Sequence, residues 1–206
     1  FTINANGTVS PTKSAGGTQP LVLGMSYKEK PSATVMEIGR LLAKVHQVPA
    51  DWFDPFRAEL VEAYPGLDAA PRGWYGWWYT ARKDLMKGMK PEALRSWIRA
   101  SPEPKSLPGR RLVTSHGDLH PGNVIRTDEA LGTQMLRVVD LEFTCCQYAA
   151  CDIAYACTLW LKGTDKRREF VRAYLEAMGD AATEDDVDAL LLDACLQMPC
   201  VVHGGW

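Results

Sequence analysis

Between Val113 and Asp140 stand the residues whose types and spacing could do chemistry: Ser115-His116-Gly117-Asp118-Leu119-His120-Pro121-Gly122-Asn123 and, after a short hairpin, Leu136-Arg137-Val138-Val139-Asp140. Apolar residues flank a polar turn on both sides, which predicts a loop between short strands, bent by Pro121-Gly122 and pinned inward by Leu119. In such a loop Asp118 and Asn123 converge. A carboxylate there can accept the proton of a substrate hydroxyl, and a carboxamide five positions on offers a neutral oxygen to a divalent cation. Asp140, expected at the end of the next strand, would complete the cation's shell. A base for the nucleophile and oxygen ligands for a metal, with little covalent work by the protein, are what phosphoryl transfer requires.

A single H-x-D says little, because a buried Asp near a His is often a satisfied loop anchor. His116-x-Asp118, Asn123 at plus five and Asp140 closing a Val-Val run together resemble the catalytic loop and metal-binding segment of the protein-kinase-like superfamily. More narrowly, H-G-D-L-H-P-G-N resembles the aminoglycoside phosphotransferase and choline kinase group, whose members phosphorylate small alcohols rather than proteins. Downstream, Asp140, Glu142, Phe143, Thr144, Asp152, Ile153 and Trp160 fall in register with the choline and ethanolamine kinases. The resemblance implies ATP and Mg2+ as cofactors and a small-molecule alcohol as acceptor. It implies Asp118 as the base, His116 and Asn123 as its companions in the catalytic loop, and Asn123, Asp140 and Glu142 around the magnesium. Asp152 would brace the loop from behind; a helix N-cap is the competing reading for it, and both can hold.

Three departures from that pattern stand in the sequence. Leu159 precedes Trp160 where choline kinases carry a Glu in the choline pocket, so one attraction for a cation is missing. His116-Gly117-Asp118 is nearer to the aminoglycoside phosphotransferases than to the H-N-D of choline kinases. The resemblance covers roughly residues 34 to 206 and corresponds to the larger carboxyl-terminal lobe of such a kinase. Ahead of residue 34 there is no Gly-rich strand-turn-strand, no V-A-I-K-like lysine and no helix glutamate to pair with it. The amino-terminal lobe is thus expected to be absent from this chain, supplied by a missing part or by partner subunits, or given up with catalysis.

Trp74-Tyr75-Gly76-Trp77-Trp78-Tyr79 carries five aromatic rings in six positions, more than one helix face can bury. Core packing is the plain reading for any one ring. The functional reading is an aromatic wall for a cationic ligand, built from Trp74, Tyr75, Trp77, Trp78, Trp160 and the terminal Trp206, whose His203-x-x-Trp206 setting resembles the pocket segment of choline kinases.

The elements that must position these residues follow from periodicity. Val35, Ile38, Leu41, Leu42 and Val45 recur at helical spacing, with Thr34 and Glu37 as a capping box, which predicts a core helix to about His46. His46, with no acidic or thiol neighbour in sequence, reads as a helix-end residue. Asp54-Pro55 reads as N-cap and first helical position of a helix closed by Pro65-Gly66. Further helices are expected over 74–87, from Pro91, after the run that leads from Leu141 through Trp160 into a helix, over 166–178, and from Thr183 until Pro199 disturbs it. A small β element is expected around Arg111 to Asp140. Residues 1–33, rich in Gly, Ser, Thr, Asn, Pro and Lys, read as an irregular connector, and 34–206 as the kinase-like lobe.

With 206 residues, 46% of them hydrophobic and 9% aromatic, the chain can bury about 70% of its unfolded surface in one core. A formal net charge of -2 and no long basic run argue against nucleic acid as the main partner, and no apolar stretch approaches a membrane span. The six cysteines form no C-x-x-C pair and sit mostly in apolar segments, as free buried thiols do. Asn6-Gly7-Thr8 is formally a glycosylation sequon, but no secretory apolar region precedes it, and an intracellular, cytoplasmic setting is expected. The expected fold class is α+β, mostly α: a protein-kinase-like large lobe with a small β element. The expected function is an ATP-dependent phosphotransferase acting on an amino alcohol. Its alternatives are an aminoglycoside or other sugar as acceptor, and a catalytically inactive, kinase-derived interaction subunit.

Overall fold

The computed structural model of the chain describes residues 2–3, 9–10, 19–20, 32–69, 88–100, 102–128 and 134–202. Among these the strands are β1 (Thr2–Ile3), β2 (Val9–Ser10), β3 (Gln19–Pro20), β4 (Leu112–Ser115), β5 (Val124–Asp128), β6 (Gln134–Val138) and β7 (Cys145–Tyr148). The helices are α1 (Ser32–His46), α2 (Asp54–Ala63), α3 (Pro91–Ala100), α4 (Leu107–Arg110), α5 (Ala149–Leu159), α6 (Thr164–Met178) and α7 (Glu184–Val202). The fold is mostly helical with small sheets, as the sequence predicts. The helix expected over 74–87 lies outside the described residues, as do the rings of Trp74, Tyr75, Trp77, Trp78, Tyr79 and Trp206.

The apolar stripe of α1 forms the floor of the core. Val35, Ile38, Leu42 and Val45 are buried, at the spacing that puts them on one helix face. The helix packs against α6, and the approach is close: a Cβ added to Gly39 would stand 2.6 Å from the carbonyl oxygen of Phe170. Helix α5, Ala149-Ala150-Cys151-Asp152-Ile153-Ala154-Tyr155-Ala156-Cys157, is buried along most of its length and packs against α7. Its small side chains allow that approach, and a helix so apolar on all sides belongs in an interior. A second cluster joins Phe53, Leu60, Leu67, Leu94 and Ile98 to Cys145 and Cys146.

Two small sheets bracket the polar turn of the sequence motif. Strand β4 pairs antiparallel with β7, Ser115 opposite Cys145 and Leu112 opposite Tyr148. Strand β5 pairs antiparallel with β6, Val124 opposite Val138, and on its other edge with β3, Pro20 opposite Ile125. The strands on either side of the turn therefore belong to different sheets, so the turn is a crossing between them and not the tip of a hairpin.

Several boundaries differ from expectation for local reasons. Helix α1 begins at Ser32, so Thr34 sits inside the first turn and is not the cap. Helix α2 has Phe53 at the N-cap, with Asp54 and Pro55 both inside. Helix α7 continues through Pro199 to Val202; its start is fixed by Thr183, whose hydroxyl accepts from Asp186 N at 3.3 Å, the arrangement of a capping residue. Cys145–Tyr148, read as part of the approach to a helix, is strand β7. Burial of all four of its residues removes the apolar-polar alternation by which a strand is recognised. Cys145, Cys146, Cys151 and Cys157 are buried and form no disulfide, while Cys195 is exposed and likewise forms none.

Candidate functional site

The turn from His116 to Asn123 is held from three directions, and each hold can be traced to a residue type. Gly117 adopts φ 78° and faces the backbone of Phe143, where a Cβ would meet the carbonyl oxygen at 2.4 Å; only glycine suits that place. Leu119 is fully buried and its carbonyl accepts from the Trp160 indole N–H at 2.9 Å. Pro121–Asn123 forms a single 3-10 turn, and His120 Nδ1 accepts from Gly122 N at 3.0 Å. With Nδ1 accepting, the ring proton of neutral His120 is on Nε2, which lies 3.6 Å from Asp118 Oδ2.

Asp118 and Asn123 come together as the motif predicts. The Asn123 amide N–H2 donates to the Asp118 carbonyl at 3.0 Å and to Asp118 Oδ2 at 3.1 Å. That orientation commits the nitrogen to Asp118 and leaves the carboxamide oxygen as the atom for a cation. Oδ1 of Asp118 accepts from the hydroxyl of Tyr155, a residue of α5 that sequence reasoning did not single out. Burial, and next the bond to Asp118, push the Tyr155 phenol up from its ordinary value, so it keeps its proton and donates the hydrogen bond.

His116 is fully buried and joins the turn to the segment that leads into Asp140. Its Nδ1 accepts from Asp118 N at 3.2 Å, which leaves the proton on Nε2 to donate to the Val139 carbonyl at 3.0 Å. The amide of the same Val139 donates to the Asn123 carbonyl at 2.9 Å. The residue immediately before Asp140 is thereby fixed against both His116 and Asn123. Asp140 itself does not end β6, which stops at Val138: its φ of 64° is left-handed and cannot continue a ladder, though Asp tolerates it better than most residues. Asp140 and Glu142 are both exposed, with oxygens open to solvent. Among the described residues no three His, Cys, Asp or Glu side chains gather into a metal centre. The donor set offered is a carboxamide and two carboxylates, all oxygen. That suits a hard cation arriving with phosphate ligands and water of its own, as magnesium does.

Asp152 lies inside the first turn of α5, with Tyr148 at the N-cap, so the cap reading does not hold. Its carboxylate, fully buried, accepts from His116 N at 2.9 Å and Gly117 N at 3.0 Å. A third donor is His46 Nε2 at 2.9 Å. His46 is also a residue that sequence reasoning passed over. It is no mere helix end: it falls four and eight positions after Leu42 and Ile38 on the buried stripe of α1, and its Nδ1 bonds the Tyr174 hydroxyl at 2.9 Å. That stripe position was the available signal, since a polar residue there must find a partner. Burial alone would raise the Asp152 carboxyl. Hydrogen bonding from His46, the imidazoles of His46 and His116, and the Ser115 hydroxyl outweigh it and hold the group below its ordinary range.

Trp160 is 2% exposed and packs edge-on against Phe170, ring centres 5.7 Å apart. Its ring is thus part of the core beneath the turn and not a face open to a ligand, as the aromatic-wall reading required.

Residues 12–190 match the model of the phosphotransferase enzyme family. Among solved structures, an ethanolamine kinase from Plasmodium vivax is similar over 92% of this chain and 54% of its own, at 19% identity and a TM-score of 0.56. A choline kinase from Cryptosporidium parvum aligns over 82% of this chain and 56% of its own, at 13% identity and a TM-score of 0.46. The chain spans about half the length of these solved relatives. No curated protein matches it. The likeness to the ethanolamine kinase is one of fold, and the family match takes in every strand and helix that holds the Asp118 turn: the chain belongs to the phosphotransferase enzyme family.

Proposed function

We propose that the chain is the large lobe of an ATP- and magnesium-dependent phosphotransferase that acts on the hydroxyl of a small molecule, with an amino alcohol as the favoured acceptor. The observation that carries the reading is the contact of Asn123 Nδ2 with Asp118 Oδ2 at 3.1 Å, on a turn whose backbone N–H groups are clamped by buried Asp152. Asp118 orients the acceptor hydroxyl and takes its proton as the phosphoryl group moves. Asn123, its amide nitrogen committed to Asp118, would offer its oxygen to the cation, and Asp140 and Glu142 would hold the cation with it. His116 keeps the two segments in register. Bound magnesium and ATP supply the phosphoryl group and the charge neutralisation that its transfer needs.

The choice of an amino alcohol rests on the register of Asp140, Glu142, Phe143, Thr144 and Asp152 with the choline and ethanolamine kinases. Aminoglycosides would call for several acidic groups lining the cleft, and beyond Glu142 and the metal-binding set the motif region offers no such cluster. The test uses the full-length protein with MgATP and a panel of choline, ethanolamine and aminoglycosides. Transfer to an amino alcohol is expected, falling by about 10²–10⁴-fold in Asp118→Asn. Preference for an aminoglycoside would overturn the acceptor, and transfer undiminished in Asp118→Asn would overturn the reading of the site.

A further inference from the structure

Helix α5 reaches the Asp118 turn twice from one face. Asp152 holds the backbone at His116 and Gly117; Tyr155, three residues on and hence on the same side of the helix, holds the side chain at Asp118 Oδ1. Asn123 occupies the other oxygen. The Tyr155 contact is an O–H group donating to the oxygen of the base, which is the contact an acceptor alcohol must make before transfer. A second feature sets it apart from structural bonds nearby: Asp118 needs no further donor for its satisfaction as a loop anchor, since Asn123 bonds both its carbonyl and its carboxylate.

We infer that Tyr155 is a positioning residue that stands in for the acceptor: its hydroxyl covers Asp118 Oδ1 until the acceptor's hydroxyl replaces it, so that water is not activated in the acceptor's absence. The inference rests on the function proposed above. The reaction held back is hydrolysis, in which the oxygen of water bonds to the γ-phosphorus of ATP and the bond to ADP breaks. The proton of that water passes to Asp118 and then to solvent, and ADP and inorganic phosphate leave. Asn123 cannot serve the same end, because its amide bonds fix the carboxylate's orientation and leave Oδ1 uncovered.

Tyr155→Phe keeps the ring and removes only the hydroxyl. In the full-length protein with MgATP, the ratio of acceptor-independent hydrolysis to transfer onto ethanolamine should rise tenfold or more. A role in packing alone would lower both rates together and leave the ratio unchanged, which would overturn the inference. A second readout needs no turnover. In protein carrying 13C-labelled tyrosine, the ring-carbon resonance missing from Tyr155→Phe should shift in Asp118→Ala without nucleotide, and move the same way when ethanolamine and MgADP bind to wild type. A resonance indifferent to either would overturn it. If Asp118→Asn abolishes transfer while Tyr155→Phe leaves the ratio unchanged, this inference alone fails; if wild type neither transfers nor hydrolyses, the proposed function fails and takes it along.

Discussion

Replacing Asp152 by alanine is the most direct probe of the brace behind the site. The carboxylate is fully buried and accepts from His46 Nε2, His116 N and Gly117 N at 2.9, 2.9 and 3.0 Å. Alanine removes the acceptor and leaves those donors without partners in the core. At about 1–3 kcal/mol for each buried donor left unpaired, the three together would cost roughly 3–9 kcal/mol. A water admitted to the vacated space could satisfy two of them, which brings the expectation to about 3–5 kcal/mol, as when one partner of a buried ion pair is removed. For a chain of this size that corresponds to a fall in Tm of roughly 6–20 °C. Urea unfolding of wild type and Asp152→Ala reads the difference directly, provided the slopes agree. The effect should be non-additive with His46→Ala by about 1 kcal/mol or more. A loss below about 1 kcal/mol would show that the turn keeps its shape without the carboxylate and would refute the brace.

Asp152 also sets an expectation in pH. Its folded value lies below the ordinary 3.8, so the stability it contributes is full above that value and is lost as pH falls through the lower folded one. Acid titration of unfolding stability should show this loss below about pH 4 in wild type and lack it in Asp152→Asn; curves of the same shape would contradict it. Gly117→Ala should cost more than about 2 kcal/mol, since it meets both the left-handed backbone and the Phe143 carbonyl, and a neutral result in thermal melting would rule out the close approach. Asp140→Asn should leave stability within about 0.5 kcal/mol of wild type, because the residue is exposed and Asn accepts the same φ, while transfer activity drops; loss of both together would argue that Asp140 is structural.

What could be read from the sequence was local. Asp118 and Asn123 are five residues apart and their meeting follows from one bent turn. Helix α1 announced itself by Val35, Ile38, Leu42 and Val45, whose spacing depends on nothing outside the helix. Residues that work across the fold were not legible in the same way. His46 finds Asp152 106 residues away and Tyr174 128 away, and Tyr155 finds Asp118 across 37; no spacing rule connects such pairs. Strand β7 hid for a different reason. Cys145-Cys146-Gln147-Tyr148 has neither alternation nor a β-branched residue, and its identity as a strand comes from its pairing with β4, a tertiary fact. Trp160 misled because an aromatic ring near a motif has the same letter whether it serves a ligand or the core.

The bonds of Asp152 have a consequence for the order in which the molecule comes together. Closing contacts of such sequence separation costs chain entropy before it returns any enthalpy. His46 makes both of its bonds only when α1, α5 and α6 have docked, because Asp152 on α5 takes one side of the imidazole and Tyr174 on α6 the other. A partly folded chain with α6 and α7 in place but α1 still free would hold the Asp118 turn through Asp152, Tyr155 and Trp160 but without the His46 bond that completes the Asp152 set. During synthesis from the amino terminus α1 emerges first and must wait for α5 and α6 before its His46 has anything to bond. The Asp118 turn thus acquires its full set of holds only when the three helices have docked, and its shape reports completion of the fold.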